Sequence, residues 1–290
     1  MKYKLLSAIV GTDACIASCP FCVSGVLLDC KNMICPETNW RNFDICCNIA
    51  NRSDVDTVML TSRGEPLLFP DQITAYLEYL QKHHFPFIEL QSNLIPVGMN
   101  FNKYNDYLKK WYELGLTTIC ISVVSENKEK NQRNYTPDGN YMDLSDVIRR
   151  LHEIGYSIRL ACVLCKGITH TIEEVKKVIM YAKSLGVEQL TLRPVNNEFR
   201  RDSAAEWIKN HCLTVDDKQA IQEYLQTDGT ILLNLDRIGC VYDVNGQNVM
   251  FSEPLNKDTR DIDPENGRQL IFFPDGHIRY EWEKEGGILL

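Results

Sequence analysis

Apolar strand-like runs alternate with helical stretches through the first two-thirds of this chain, and that alternation limits the fold more than any other feature. Strand candidates are residues 5–10, 57–60, 87–91, 118–123, 157–164 and 189–193. Helical patterns lie between them at 40–50, 70–82, 104–114, 144–154 and 172–185. Leu114-Gly115, Ile154-Gly155 and Leu185-Gly186 each put a glycine where a helix would end in a left-handed cap, and each leads directly into a strand. Such a βα repeat builds a parallel sheet with crossover helices. Right-handed crossovers wind it into an open sheet or a barrel. Six strands and five helices fall short of an eight-fold barrel. The expected fold class over residues 1–196 is therefore α/β, either an open parallel sheet or a partial (βα)6 TIM-like barrel.

After Arg193 the pattern changes. Residues 196–210 are polar, with the charged run Arg200-Arg201-Asp202, and are expected to form a linker. Thr214 is placed to cap a helix running to about residue 226. Asn245-Gly246, between apolar runs at 241–244 and 248–251, is a strong hairpin signal. Pro274-Asp275-Gly276, between 270–273 and 277–282, is a second turn. Residues 197–290 are thus expected to form an antiparallel β extension with a helix, closing the open side or mouth of the barrel and shaping the substrate site.

The formal net charge is −8 and no Lys/Arg-rich run is present, so nucleic acid is not an expected partner. No apolar stretch reaches the length of a spanning helix, and no membrane partner is expected. Residues 1–10 read as a first strand, not a leader, and a cytoplasmic location is expected. In a reducing compartment, clustered cysteines favour metal and scattered ones favour burial.

One cluster stands out. Cys15, Cys19 and Cys22 fall within eight residues, Cys15-Ile16-Ala17-Ser18-Cys19-Pro20-Phe21-Cys22, just after the first strand. Three thiolates on one loop can reach one metal centre. A structural zinc site wants four ligands, so it would need Cys30 or Cys35 as well. Three simply buried cysteines are the other reading. A four-iron cluster held by three thiolates keeps one iron open to a further ligand.

The spacing, with an aromatic residue before the last cysteine, resembles the signature of the radical S-adenosylmethionine (radical SAM) superfamily. Thr61-Ser62-Arg63-Gly64-Glu65-Pro66 follows the second strand and is similar to that family's Gly-Gly-Glu-Pro motif, with Arg63 in place of the first glycine. The resemblance covers about residues 5–195. It implies a [4Fe–4S] cluster on Cys15, Cys19 and Cys22, with S-adenosylmethionine chelating the fourth iron. It implies reductive cleavage of that cofactor to a 5′-deoxyadenosyl radical, which takes a hydrogen atom from a substrate. No catalytic side chain is specified, because the radical arises at the cluster. The resemblance also implies a reductant such as flavodoxin or ferredoxin.

Further residues follow from the same resemblance. Gly64 and Glu65 are expected to clamp the methionine moiety of the cofactor, and the peptide atoms of Phe21 to meet its adenine. Ser122 at the end of strand four, Arg133 in the presumed loop 127–140 and Arg193 in strand six are further cofactor candidates. A guanidinium suits a carboxylate through two parallel bonds. Asn93, ending strand three, and Arg159, in strand five, are candidates for substrate. An arginine in a buried strand demands a partner, and an internal ion pair is the competing account for Arg159 and Arg193. Cys30 and Cys35 lie near the cluster loop and could be redox-active or face the substrate. Without further grouped cysteines or a basic appended domain, a small molecule is the expected substrate: a nucleotide, sugar or amino-acid derivative. The alternatives are an activase of a glycyl-radical enzyme, a peptide-modifying enzyme, and a non-catalytic iron–sulfur or zinc module.

Overall fold

The computed structural model describes residues 2–22, 37–136, 139–195, 205–235, 239–252, 266–267, 269–282 and 286–290. Six parallel strands form its centre: β2 (Leu6–Ile9), β3 (Thr57–Thr61), β4 (Phe87–Ser92), β5 (Thr118–Val123), β6 (Ser157–Leu164) and β7 (Gln189–Pro194). They pair in sequence order, each with the next. A two-residue strand, β1 (Lys2–Tyr3), precedes them and pairs with β11 (Asn266–Gly267). The crossovers carry α1 (Trp40–Arg52), α2 (Pro70–Leu80), α3 (Ile95–Met99), α4 (Phe101–Glu113), α5 (Lys128–Tyr135), α6 (Leu144–Ile154) and α7 (Ile172–Ser184). Gly115, Gly155 and Gly186 all have positive φ (87°, 118° and 68°), as the left-handed stops require.

The extension contains α8 (Ala205–His211), α9 (Val215–Asp228), β8 (Thr230–Leu235), β9 (Gly239–Val244), β10 (Gln247–Phe251), β12 (Leu270–Phe272) and β13 (Ile278–Arg279). Thr214 caps α9 with a full capping box, its hydroxyl accepting from the Asp217 N–H. Both expected hairpins are present: β9–β10 turns at Asn245-Gly246, and β12–β13 at Pro274-Asp275-Gly276. Two expectations need correction. The 196–210 segment is not linker throughout, since its described end lies in α8. The extension is also not wholly antiparallel. β10 joins β7 in parallel, and β12 joins β2 in parallel. Eight parallel strands therefore run side by side, with antiparallel partners only outside them, in the order β13-β12-β2-β3-β4-β5-β6-β7-β10-β9-β8. Among the described residues, no pairing joins β13 to β8.

Its two faces differ. Leu6, Val58, Leu60, Ile88, Leu90, Ile119, Ile121, Ile158, Leu160, Leu190 and Leu192 belong to one buried core with the apolar sides of the helices. Residues one position along point the other way. Paired Cα positions carry Ser7, Met59, Glu89 and Thr118 in one row, then Gln91, Cys120 and Arg159 in the next. Ser122, Ala161 and Thr191 form a third row, with Arg193 beyond it beside Val163. This inner face is polar and mostly half-buried, the inverse of the helix side. Next to β2 and β12 it is filled by a small apolar cluster of Ile9, Ile271, Phe273 and Trp282.

The extension is part of the core. Phe272 on β12 is fully buried, with its ring 4.8 Å from that of Phe43 on α1. Phe272→Ala is expected to cost about 3–5 kcal/mol in urea unfolding. Leu233→Ala, on the edge strand β8 where the side chain is 53% exposed, is expected to change stability by no more than about 0.5 kcal/mol.

Candidate functional site

The cysteine loop leaves β2 at its C-terminal end, on the rim where strand-end loops gather. Gly11 opens it with φ +69°, and its N–H donates to Gln72 Oε1 at 2.6 Å. Neighbouring loops then tie it down. Ser62 Oγ donates to the Thr12 carbonyl at 3.1 Å, and the Glu65 N–H donates to the Ala14 carbonyl at 2.9 Å. The Ser18 N–H donates to the Tyr135 carbonyl at the end of α5, 2.9 Å away. Asn93 Nδ2 lies 3.8 Å from Cys15 Sγ. Within the loop, the Cys22 N–H bonds the Cys19 carbonyl at 3.1 Å, and the Ala17 N–H points at Cys15 Sγ at 3.4 Å.

Gly64 has a steric reason to be glycine. A Cβ there would sit 2.0 Å from the Ala14 carbonyl oxygen, which is backbone and cannot swing aside. The Gly-Glu-Pro turn and the cysteine loop therefore touch backbone to backbone. Glu65 is the hub of this contact. Its side chain is buried, and its Oε1 accepts from the Leu67 N–H at 3.0 Å and from Ser92 Oγ at 2.6 Å. Oε2 accepts from the Asn93 N–H at 3.0 Å. Burial raises its pKa to about 7, against the lowering pull of these three donors.

Cys15 is exposed, while Cys19 and Cys22 are half-buried. Desolvation raises the Cys15 and Cys19 thiols, and Cys22 and Glu65 add to the effect on both. Loading a metal would have to displace these protons. Among the described residues, no three His, Cys, Asp or Glu side chains close on a point that a single metal ion could occupy. A four-iron cluster needs something else, thiolates on separate irons, and three thiols spaced along one anchored loop fit that donor set. Cys30 and Cys35 lie outside the described residues.

The other candidates spread around this loop. Phe21 is buried, its ring edge-on to Tyr135 at 5.7 Å and tilted against Trp207 of α8 at 6.2 Å. Ser122 is half-buried on the inner face, towards the rim end of β5. Arg193 is exposed on β7, near Cys120, whose thiol burial raises to about 11 against the smaller opposing pull of Arg159 and Arg193. Arg133 lies on the last turn of α5, exposed, in a helix where the sequence reads as a loop. Arg159 has the partner its burial requires. Its Nε donates to Glu89 Oε2 at 2.8 Å, Nη2 reaches Oε1, and Nη1 lies 3.3 Å from Thr191 Oγ1. Sequence reasoning passed over Glu89, although an acid in the apolar run Phe87-Ile88-Glu89-Leu90 is a readable signal. It also passed over Ser92 as a ligand of Glu65, and over Tyr135 and Tyr141.

Gly64→Ala is expected to part the two loops, seen as faster hydrogen exchange at the Glu65 amide. Glu65 has a raised folded pKa, so its contribution to stability is full below the ordinary value of 4.5 and is lost as pH rises through about 7. Urea unfolding of the metal-free chain between these values should show a loss on the order of 3 kcal/mol from this group. Glu65→Gln should abolish that slope. It should also cost about 1–3 kcal/mol, because its amide N–H must face one of the donors that the carboxylate now accepts from.

No family model matches the chain. The chain is 29% identical over 209 residues to GTP 3′,8-cyclase of Aquifex aeolicus (strain VF5), covering 69% of this chain and 61% of that protein. In fold it is similar to Streptococcus suis SuiB bound to S-adenosylmethionine, with a TM-score of 0.59 at 12% identity over 95% of this chain and 58% of SuiB. SuiB bound to its precursor peptide SuiA superposes with a TM-score of 0.53 at 12% identity, over 96% of this chain and 59% of SuiB. The chain thus spans about six-tenths of the length of these proteins. Among the described residues, no helix is long and apolar enough to cross a membrane.

Proposed function

We propose a function for this chain from its place among the radical SAM proteins, whose partial-barrel fold it has: it is an enzyme that cleaves S-adenosylmethionine and abstracts hydrogen from a small polar molecule. The observation that carries the reading is the backbone contact of Gly64-Glu65 with the cysteine loop, which puts an acidic hub beside three thiols at the rim of a polar inner face. When bound, a [4Fe–4S] cluster with S-adenosylmethionine supplies the electron and the 5′-deoxyadenosyl radical, chemistry that no side chain offers.

The residues divide the remaining work. Cys15, Cys19 and Cys22 hold the cluster. Glu65 retains acceptor capacity on Oε2 for a cofactor ammonium, whose charge would favour the carboxylate form. Gly64 fixes the distance between that carboxylate and the thiols. Ser122, Arg133 and Arg193 offer a hydroxyl and two cations to the cofactor's ribose and carboxylate, and the Phe21 peptide is offered to its adenine. Asn93, with its N–H on Glu65 and its Nδ2 near Cys15, is offered to the substrate. Arg159 braces Glu89 and Thr191 on the inner face and meets a substrate only through that network. The rows of Gln91, Cys120, Ser122 and Thr191 favour a hydrophilic substrate over an apolar one. A low-potential reductant such as flavodoxin or ferredoxin delivers the electron, in the cytoplasm.

Anaerobic reconstitution with iron and sulfide, followed by dithionite and S-adenosylmethionine, should yield 5′-deoxyadenosine on chromatography. Its absence from a fully loaded protein would overturn the reading. Cys19→Ala should lose cluster loading, and four irons retained in that variant would refute the ligand assignment.

A further inference from the structure

Two buried hydroxyls beside the cysteine loop have no hydrogen-bond partner among the described residues: those of Tyr135 and Tyr141. Both residues are nearly sealed from solvent, at 2% and 5% exposure. Protein interiors seldom leave such atoms unpaired, and each one raises the question of what completes it. Their position supplies the answer. Tyr135 accepts the Ser18 N–H through its carbonyl, 2.9 Å away and one residue before Cys19. Its ring meets Phe21, two residues after Cys19, edge to face at 5.7 Å. The Tyr141 ring lies 6.1 Å from that of Tyr135. Burial raises both phenols above the ordinary tyrosine range, and Cys19 is near enough to each for a thiolate there to add to the shift. Cys162 and Cys165 stand near Tyr135, and Tyr181 near Tyr141, yet none of them accepts either proton.

We propose that the Tyr135 and Tyr141 hydroxyls donate hydrogen bonds to sulfur at the Cys19 corner of the iron–sulfur cluster and so set its potential. The inference rests on the cluster reading above. A protonated thiol is a weak acceptor, whereas an iron-bound thiolate or sulfide carries negative charge and accepts well. The two donors are orphans because their acceptor is an anion that the metal-free chain does not carry. Hydrogen bonds to cluster sulfur favour the reduced, more negative state and therefore raise the potential.

The test uses the full chain carrying Tyr135→Phe and Tyr141→Phe together, which keeps both rings and removes two oxygen atoms. In metal-free protein the variant should have a Tm equal to or above that of the parent, because no bond is lost. After reconstitution to four irons, a dithionite titration followed by electron paramagnetic resonance should give a more negative midpoint than the parent's. Coupling to exchangeable protons, read by exchange into D2O, should fall with it. An unchanged midpoint on a fully loaded cluster would overturn the proposal, as would a lower Tm in metal-free protein, which would mean that the hydroxyls are bonded within the chain. A parent that takes up no cluster at all would overturn the cluster reading and this proposal together. If the double variant does not fold, each single variant gives the same readings.

Discussion

The contact between the Gly64-Glu65 backbone and the Ala14 carbonyl is the constraint on which the rest of the site depends. A loop that must present three thiols is held mainly from outside. It borrows rigidity from neighbours. One N–H from Glu65 fixes its start, the carbonyl of Tyr135 fixes its middle, and Asn93 stands against Cys15. Glu65 then couples the first and last of these, because the same carboxylate accepts from Ser92 and from the Asn93 backbone. The ends of β3 and β4 are held as one unit beneath the thiols.

The sheet beneath this rim solves two problems with its two faces. The helix side is apolar and sealed, and supplies the hydrophobic burial that stabilises the chain. The inner side carries Glu89, Gln91, Cys120, Ser122, Arg159 and Arg193, residues that a packed core would reject. Its buried charges are tolerated because Glu89, Gln91 and Arg159 satisfy one another. Glu89 takes up Arg159 through both oxygens and Gln91 through one, leaving a charged network and not isolated charges. A sheet face built this way is polar without being destabilising.

Much of this was legible in the residues. The glycine stops after three helices, the Asn-Gly hairpin and the alternation of strands and helices are local signals, and local physics honours them. The cysteine loop and Gly-Glu-Pro turn were visible as motifs, and the likenesses in sequence and fold agree with the family they suggested. What remained hidden depended on distance along the chain. The polar composition of residues 128–135 reads as a loop, yet Asn127 caps it as helix α5 by accepting from the Lys130 N–H. The partner of Arg159 lies 70 residues away. The parallel addition of β10 and β12 could not be read from hairpin signals, because a turn fixes the pairing inside a hairpin and says nothing about its outer neighbour.

The placement of β12 has a consequence for how the chain comes to be assembled. β2, the strand that launches the cysteine loop, lies between β3 and β12, and the Ser7 side chain meets that of Gln269 across 262 residues of sequence. On the ribosome, β2 emerges early while its outer neighbour is still unmade. One edge of that strand must wait, exposed, until nearly the whole barrel has been translated. Contacts of such long range form late and slowly. The thiols therefore reach their final support only after synthesis has passed β12, which separates in time the making of the chain from the completion of the place where metal would enter it.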